Sequence, residues 1–158
     1  MRQAIGLFLA GILCFAVAAA AQQPNKAAMQ QATGTFDVKV APLSPEDSQD
    51  GITLSRFSID KQFSGDLVGA SKGEMLALGT QVKGSAGYGA AERVAGTLKG
   101  RKGSFGLVHR GVMGGGKQEM LVVIVPDSGS GELTGIEGAL TIKIADGKHT
   151  YILDYTLP

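Results

Sequence analysis

Cysteine is almost missing from this chain: of 158 residues only Cys14 is one, and it lies inside an N-terminal apolar run, IGLFLAGILCFAVAAAA. That run follows Arg2 and ends at Ala19 and Ala21, ahead of Gln22-Gln23-Pro24. A single cation, a short apolar stretch and small residues before a polar break predict a secretory signal peptide over residues 1–21. The run falls short of the roughly 20 residues a spanning helix needs, which disfavours a retained anchor. Ile12 and Leu13 precede Cys14, where a lipid-acceptor cysteine wants small neighbours, so no lipoprotein is expected. The mature chain is then exported to the periplasm or beyond, free of cysteine and of membrane. Disulfides, thiolate nucleophiles, zinc-thiolate sites and iron–sulfur clusters are all excluded, even in an oxidising compartment.

An excess of one charge is lacking too. Without Arg2, 14 basic residues face 14 acidic ones, with the signs interspersed. Nothing here suits a nucleic acid or an anionic membrane surface. No segment has the 3.6-residue apolar period of an amphipathic helix. From Ile52 onward the only prolines are Pro126 and Pro158. Neither the phosphate loop Gly-x-x-x-x-Gly-Lys-Ser/Thr nor the fingerprint Gly-x-Gly-x-x-Gly occurs, and no helix follows any glycine cluster to present its N-terminus to phosphate. Two histidines far apart, His109 and His149, with scattered carboxylates give no metal-ligand spacing. No cofactor and no metal are expected.

What is present is alternation. Residues 22–31 read as a flexible leader, polar and without period. TGTFDVKV then places Phe36, Val38 and Val40 on one face and Thr35, Asp37 and Lys39 on the other, the two-residue period of a half-buried strand. APLSPEDSQDG reads as a loop. Seven further runs follow: Leu54–Ser64, Asp66–Leu78, Gly87–Leu98, Ser104–Met113, Lys117–Val125, Ile136–Ala145 and Lys148–Leu157. Short glycine-containing links between them allow antiparallel neighbours and no parallel crossovers. About eight strands of this length suit a closed antiparallel β-barrel over residues 32–158, an all-β fold without exposed edges; a sandwich is the alternative. The 24 glycines fit strongly bent strands. GDLVGASKG, GTLKGRKG and GELTGIEG, at Gly65, Gly96 and Gly131, share Gly-x-Leu-x-Gly and suggest a hairpin unit reused around the barrel.

GTLKGRKGSF reads as one such hairpin, with Arg101-Lys102 as its two-residue turn. Leu98 then lies opposite Phe105 and Val94 opposite His109, which puts Glu92 diagonal to His109 on the inward face. Lys61 is in phase with Phe57, Ile59 and Phe63, and Tyr88 shares the face of Glu92. An ionisable set inside a barrel is costly unless hydrogen-bonded or functional. Glu92, His109, Lys61 and Tyr88 are therefore the candidate ligand-binding residues, against the alternative that Glu92 and His109 merely satisfy each other. His149, just after an Asp-Gly turn, reads as a rim residue. Asp127-Ser128-Gly129 looks like the aspartic-protease tripeptide, but too little chain follows it for that fold, and a Pro-Asp-Ser-Gly turn explains it.

The blocks SIDKQFSGDLVGASKGEML, KGSAGYGAAERVAGTLKGRKGSF, VPDSGSGELTGIEG and DGKHTYILDYTLP together resemble the uncharacterised bacterial domain-of-unknown-function family 3224, from about Thr33 to Pro158. The resemblance implies a barrel similar to allene oxide cyclase and lipocalin-like in shape. It implies no activity and carries over no catalytic residue. The leading functional expectation is a non-enzymatic barrel that holds a small apolar or amphipathic molecule in a lumen lined by Phe57, Ile59, Phe63, Leu107 and Met113. An isomerase or cyclase-like enzyme using Glu92 and His109 as an acid–base pair is one alternative. A structural protein that forms homo-oligomers through the barrel exterior is the other.

Overall fold

A computed structural model describes residues 27–158; the expected signal peptide lies outside them. Ten strands form one antiparallel sheet: β1 (Gln30–Pro42), β2 (Asp47–Gln49), β3 (Ile52–Gly65), β4 (Leu67–Thr80), β5 (Ala86–Leu98), β6 (Arg101–Gly114), β7 (Lys117–Ile124), β8 (Ser130–Gly131), β9 (Glu137–Ala145) and β10 (Lys148–Thr156). The order β1-β10-β9-β7-β6-β5-β4-β3 closes on itself because β1 also pairs with β3, from Gly34↔Gly65 to Pro42↔Phe57. The eight long strands thus make the closed barrel that the alternation predicts, and the sandwich is excluded. β2 is a short addition to β3 inside the segment expected to be a loop. Pairing starts at Gln30, two residues before the expected boundary, because Gln30 and Gln31 face Tyr155 and Asp154 on β10.

Two-residue turns join β2 to β3, β5 to β6, β6 to β7 and β9 to β10. Each has positive φ at both positions: Asp50-Gly51, Lys99-Gly100, Gly115-Gly116 and Asp146-Gly147. That geometry matches the right-handed twist of the flanking strands. The β5–β6 turn is therefore Lys99-Gly100 and not Arg101-Lys102. Leu98 pairs with Arg101, Val94 with Phe105 and Ala90 with His109. Each residue's partner is displaced by four residues from the expected one, an even number, which leaves every side chain on its expected face.

The pairing is uneven around the barrel. The β4–β5 ladder runs unbroken from Leu67↔Leu98 to Gly79↔Ala86. Between β7 and β9 the register is a single pair, Val123↔Ala139.

The two ends also differ. At the end holding the β3–β4 and β5–β6 turns, the connection from Val125 to Ile136 folds inward. It carries Leu133 and Ile136 into the lumen, where both are fully buried with Leu67, Leu98, Phe105, Leu153 and Tyr155. Hydrogen bonds hold it there: Ser128 Oγ accepts from Gly106 N at 2.9 Å, and Glu132 Oε2 accepts from Lys102 N at 2.8 Å. The Tyr151 hydroxyl ties β10 to the same end by accepting from Leu67 N at 2.9 Å. Leu67, Leu98 and Leu133 are the leucines of the three Gly-x-Leu-x-Gly copies. Their environments differ, however: the first opens β4, the second closes β5, and the third lies in the β7–β9 connection. The repeat is thus a shared core-filling role at one end and not one hairpin unit reused.

At the opposite end the β4–β5, β6–β7 and β9–β10 connections contribute no residue to the buried core, and from the β1–β2 connection Glu46 accepts from the Oγ of the inward-phase Ser55 at 3.2 Å. Inward-phase residues there, Val40 and Ile144, are 48% and 59% exposed.

Candidate functional site

Four neighbouring strands bring the candidate residues together. Lys61 on β3 pairs with Ser71 on β4, Gly73 on β4 pairs with Glu92 on β5, and Ala90 on β5 pairs with His109 on β6. Lys61, Ser71, Glu92 and His109 thus form one diagonal path across the inner wall. Small partners make room for it. A Cβ at Gly73 would lie 2.7 Å from Glu92 Cγ, so the glutamate stem lies directly over that glycine. Tyr88 rests on Gly111 in the same way, since a Cβ there would come within 2.2 Å of its ring.

The carboxylate of Glu92 is the hub. Its Oε1 accepts from Lys61 Nζ at 2.5 Å, and its Oε2 accepts from Ser71 Oγ at 2.5 Å. His109 Nε2 stands 2.6 Å from Oε1 but points off the line of a directed bond, so it is buried without a hydrogen-bond partner. The side chains of Lys61, Glu92 and His109 are 6%, 0% and 5% exposed. Burial pushes the Glu92 pKa up, yet the adjacent His109 imidazole, the Lys61 charge and hydrogen bond, and the Ser71 hydroxyl outweigh it. They hold the carboxyl at about 2, below its usual 4.5. Lys61 and Ser71 make the directed bonds among these, so they supply the geometric part of that stabilisation. Burial, then the Glu92 charge, raises the Tyr88 phenol, which keeps its proton as a donor.

Above this network is a cavity of about 140 Å³, open at the mouth. Lys61, Tyr88 and His109 contribute to its walls, together with Phe36, Val38 and Val40 from β1, Ile59 from β3, Met75 from β4, Met120 from β7, and Ile142 and Ile144 from β9. Glu92, fully covered, stands behind that surface and acts through its neighbours. His149 lies on the rim, half-buried, its ring 5.0 Å from that of Phe36. The Lys61 ammonium is 5.0 Å from the Phe36 ring centroid.

The expected apolar lining needs correction. Ile59 does line the cavity, but Phe63 and Leu107 are packed into the core. Phe57 and Met113 lie inside the barrel's phase yet outside the cavity wall. Alternation identifies the inward face and leaves the depth along the barrel unspecified. Ser71 was not among the candidates. The signal for it is its place opposite Lys61 once the β3–β4 register is known. Asp127 sits exposed in a turn with φ 60°, and the Ser128 hydroxyl donates to Val125 O, so the tripeptide closes a loop. Among the described residues no three His, Cys, Asp or Glu side chains group closely enough to hold a metal ion.

No protein of curated function matches the chain. The crystal structure of a protein of unknown function from the DUF3224 family of Shewanella oneidensis MR-1 is similar, with 44% sequence identity and a TM-score of 0.78. The match covers 83% of this chain and 99% of that one. A family model described as "Protein of unknown function (DUF3224)" matches residues 32–155. With the barrel, the separated sequence blocks and this match in agreement, the chain belongs to the DUF3224 family.

Proposed function

We propose that the protein is an exported binding barrel that holds a small apolar or amphipathic molecule in the open half of its lumen. The observation that carries this reading is the division of the lumen: one end is filled by Leu133, Ile136 and their neighbours, while the other keeps an apolar cavity with Lys61, Tyr88 and His109 in its wall. A few convergent polar groups on an otherwise apolar concavity are what small-molecule recognition needs. Export rests on the N-terminal sequence, Arg2 through Ala21.

The acid–base alternative is disfavoured by the same geometry. A carboxylate held at about 2 is a weak proton acceptor, and a side chain 0% exposed has no direct access to a substrate. The oligomer reading has one observation of its own. Leu76 and Leu78 on β4, Val108 and Val112 on β6, and Leu121 on β7 are exposed on the outer face, with β5 between β4 and β6. A monomeric mass by light scattering at high concentration overturns it.

Native mass spectrometry of protein taken from its own host's periplasm tests the leading reading. A reproducible added mass, released on denaturation, is the expected result. Bare polypeptide in gentle spectra, with nothing extracted by solvent, overturns it.

A further inference from the structure

We infer that the cavity takes an uncharged, carbonyl-bearing molecule and discriminates against the free carboxylate of the same carbon skeleton. This rests on the binding reading above and specifies its ligand.

Of the polar groups that line the cavity, Lys61 can only donate and Tyr88 keeps a proton to donate, while the imidazoles of His109 and His149 can donate or accept. Lys61 carries an ammonium with three hydrogens, of which Glu92 takes one. Tyr88 presents a phenol that retains its proton. The single carboxylate of the network, Glu92, is sealed behind them. A ligand that engages Lys61 must therefore bring an acceptor.

The charge inventory decides which acceptor. Lys61 on β3, Tyr88 on β5, His109 on β6 and His149 on β10 are the ionisable groups that line the cavity, with Glu92 on β5 sealed behind them; outside the lining, the Glu46 carboxylate accepts from Ser55 Oγ at 3.2 Å on the inward-phase face of β3. The other walls contribute none: Phe36, Val38 and Val40 come from β1, Ser71 and Met75 from β4, Met120 from β7, and Ile142 and Ile144 from β9. The Lys61 cation is already matched by Glu92 at 2.5 Å. A carboxylate arriving at Lys61 would place a second negative charge beside Glu92 within apolar walls. Like charges repel strongly where water is excluded, and the incoming anion would also lose its hydration. A ketone, aldehyde, ester or amide oxygen accepts from Lys61 and Tyr88 without either cost.

Volume limits the size. The cavity of about 140 Å³ is close to an engineered protein cavity of about 150 Å³ that holds benzene. About six heavy atoms are enclosed on that scale, and a longer chain leaves past Val40 and Ile144 at the mouth.

The test compares 2-octanone with octanoate by calorimetric titration of the protein at pH 8. The ketone is expected to bind at least about tenfold more tightly. Octanoate binding as tightly or better overturns the inference and leaves the lumen reading standing. Binding of neither overturns both. Glu92→Gln removes the balancing charge and is expected to shift the preference toward octanoate by about tenfold, with folding checked by circular dichroism. A folded variant with an unchanged ratio overturns the charge-balance argument; if the variant does not fold, the wild-type ratio decides.

Discussion

Leu133 and Ile144 occupy opposite ends of the lumen, and the contrast between them shows how one alternating sheet supplies both a core and a pocket. Around Leu133 the β7–β9 connection enters the barrel, so inward-facing side chains meet a partner on every side. Around Ile144 the β6–β7 and β9–β10 connections are two-residue turns, too short to reach inward, and the same inward phase is left half open. The plug, and not the strand pattern, determines which half is solid. Into the open half the fold places an ion pair, Lys61–Glu92, although such a pair gives little net stability compared with apolar packing. Packing is optimised at one end, and polar groups are held at the other at some cost in stability.

The sharpest way to separate the two ends is to break the pair. Lys61→Met leaves Glu92 buried with no compensating cation, and the expected loss is about 3–5 kcal/mol of unfolding free energy. The double substitution Lys61→Met, Glu92→Leu is expected to recover most of that loss, since apolar residues of similar volume replace buried ion pairs at little or no cost. Urea denaturation of the three proteins measures both. A double variant no more stable than Lys61→Met would mean that the pair is required for folding itself, and the division between core and site would fail.

The next effect sets the two aliphatic residues against each other. Leu133→Ala removes a fully buried side chain from the packed end and is expected to cost about 2–5 kcal/mol. Ile144→Ala, at a position 59% exposed, is expected to change stability by no more than about 0.5 kcal/mol. Equal losses at the two positions would show that the mouth is packed in solution.

Much of this was legible beforehand, for a simple geometric reason. Side-chain period two assigns faces, so Glu92 and His109 remain inward and diagonal although their partners moved by four residues. Strand number and short turns then point to closure. Depth was not legible: Phe57, Met75 and Met113 alternate alike, yet only Met75 lines the cavity. Ser71 escaped because its inward neighbours, Gly69 and Gly73, carry no apolar side chains to mark the phase of β4. The plug escaped as well. Its segment, Val125 to Ile136, has no period, and Leu133 finds its place only through long-range contact with β6, where it covers Gly103. β2 is exposed at all three residues and so shows no alternation.

The smallest of the three effects concerns pH and acts on the open end alone. Glu92 ionises at about 2 in the folded barrel, against an ordinary 4.5. An unfolded chain therefore takes up this proton first as pH falls. The stabilisation is complete above about 4.5 and is lost between there and about 2, amounting to at most roughly 3 kcal/mol. Other carboxylates titrate in the same window, so the informative quantity is a difference. The urea midpoint of the wild type should fall more steeply from pH 5 to pH 2.5 than that of the Lys61→Met, Glu92→Leu double variant. Leu133→Ala should keep the wild-type slope at lower overall stability, because it leaves the ion pair intact. Parallel curves for wild type and double variant would show that Glu92 is not held ionised by its neighbours, and with that the distinction between a packed end and an electrostatically organised one would collapse.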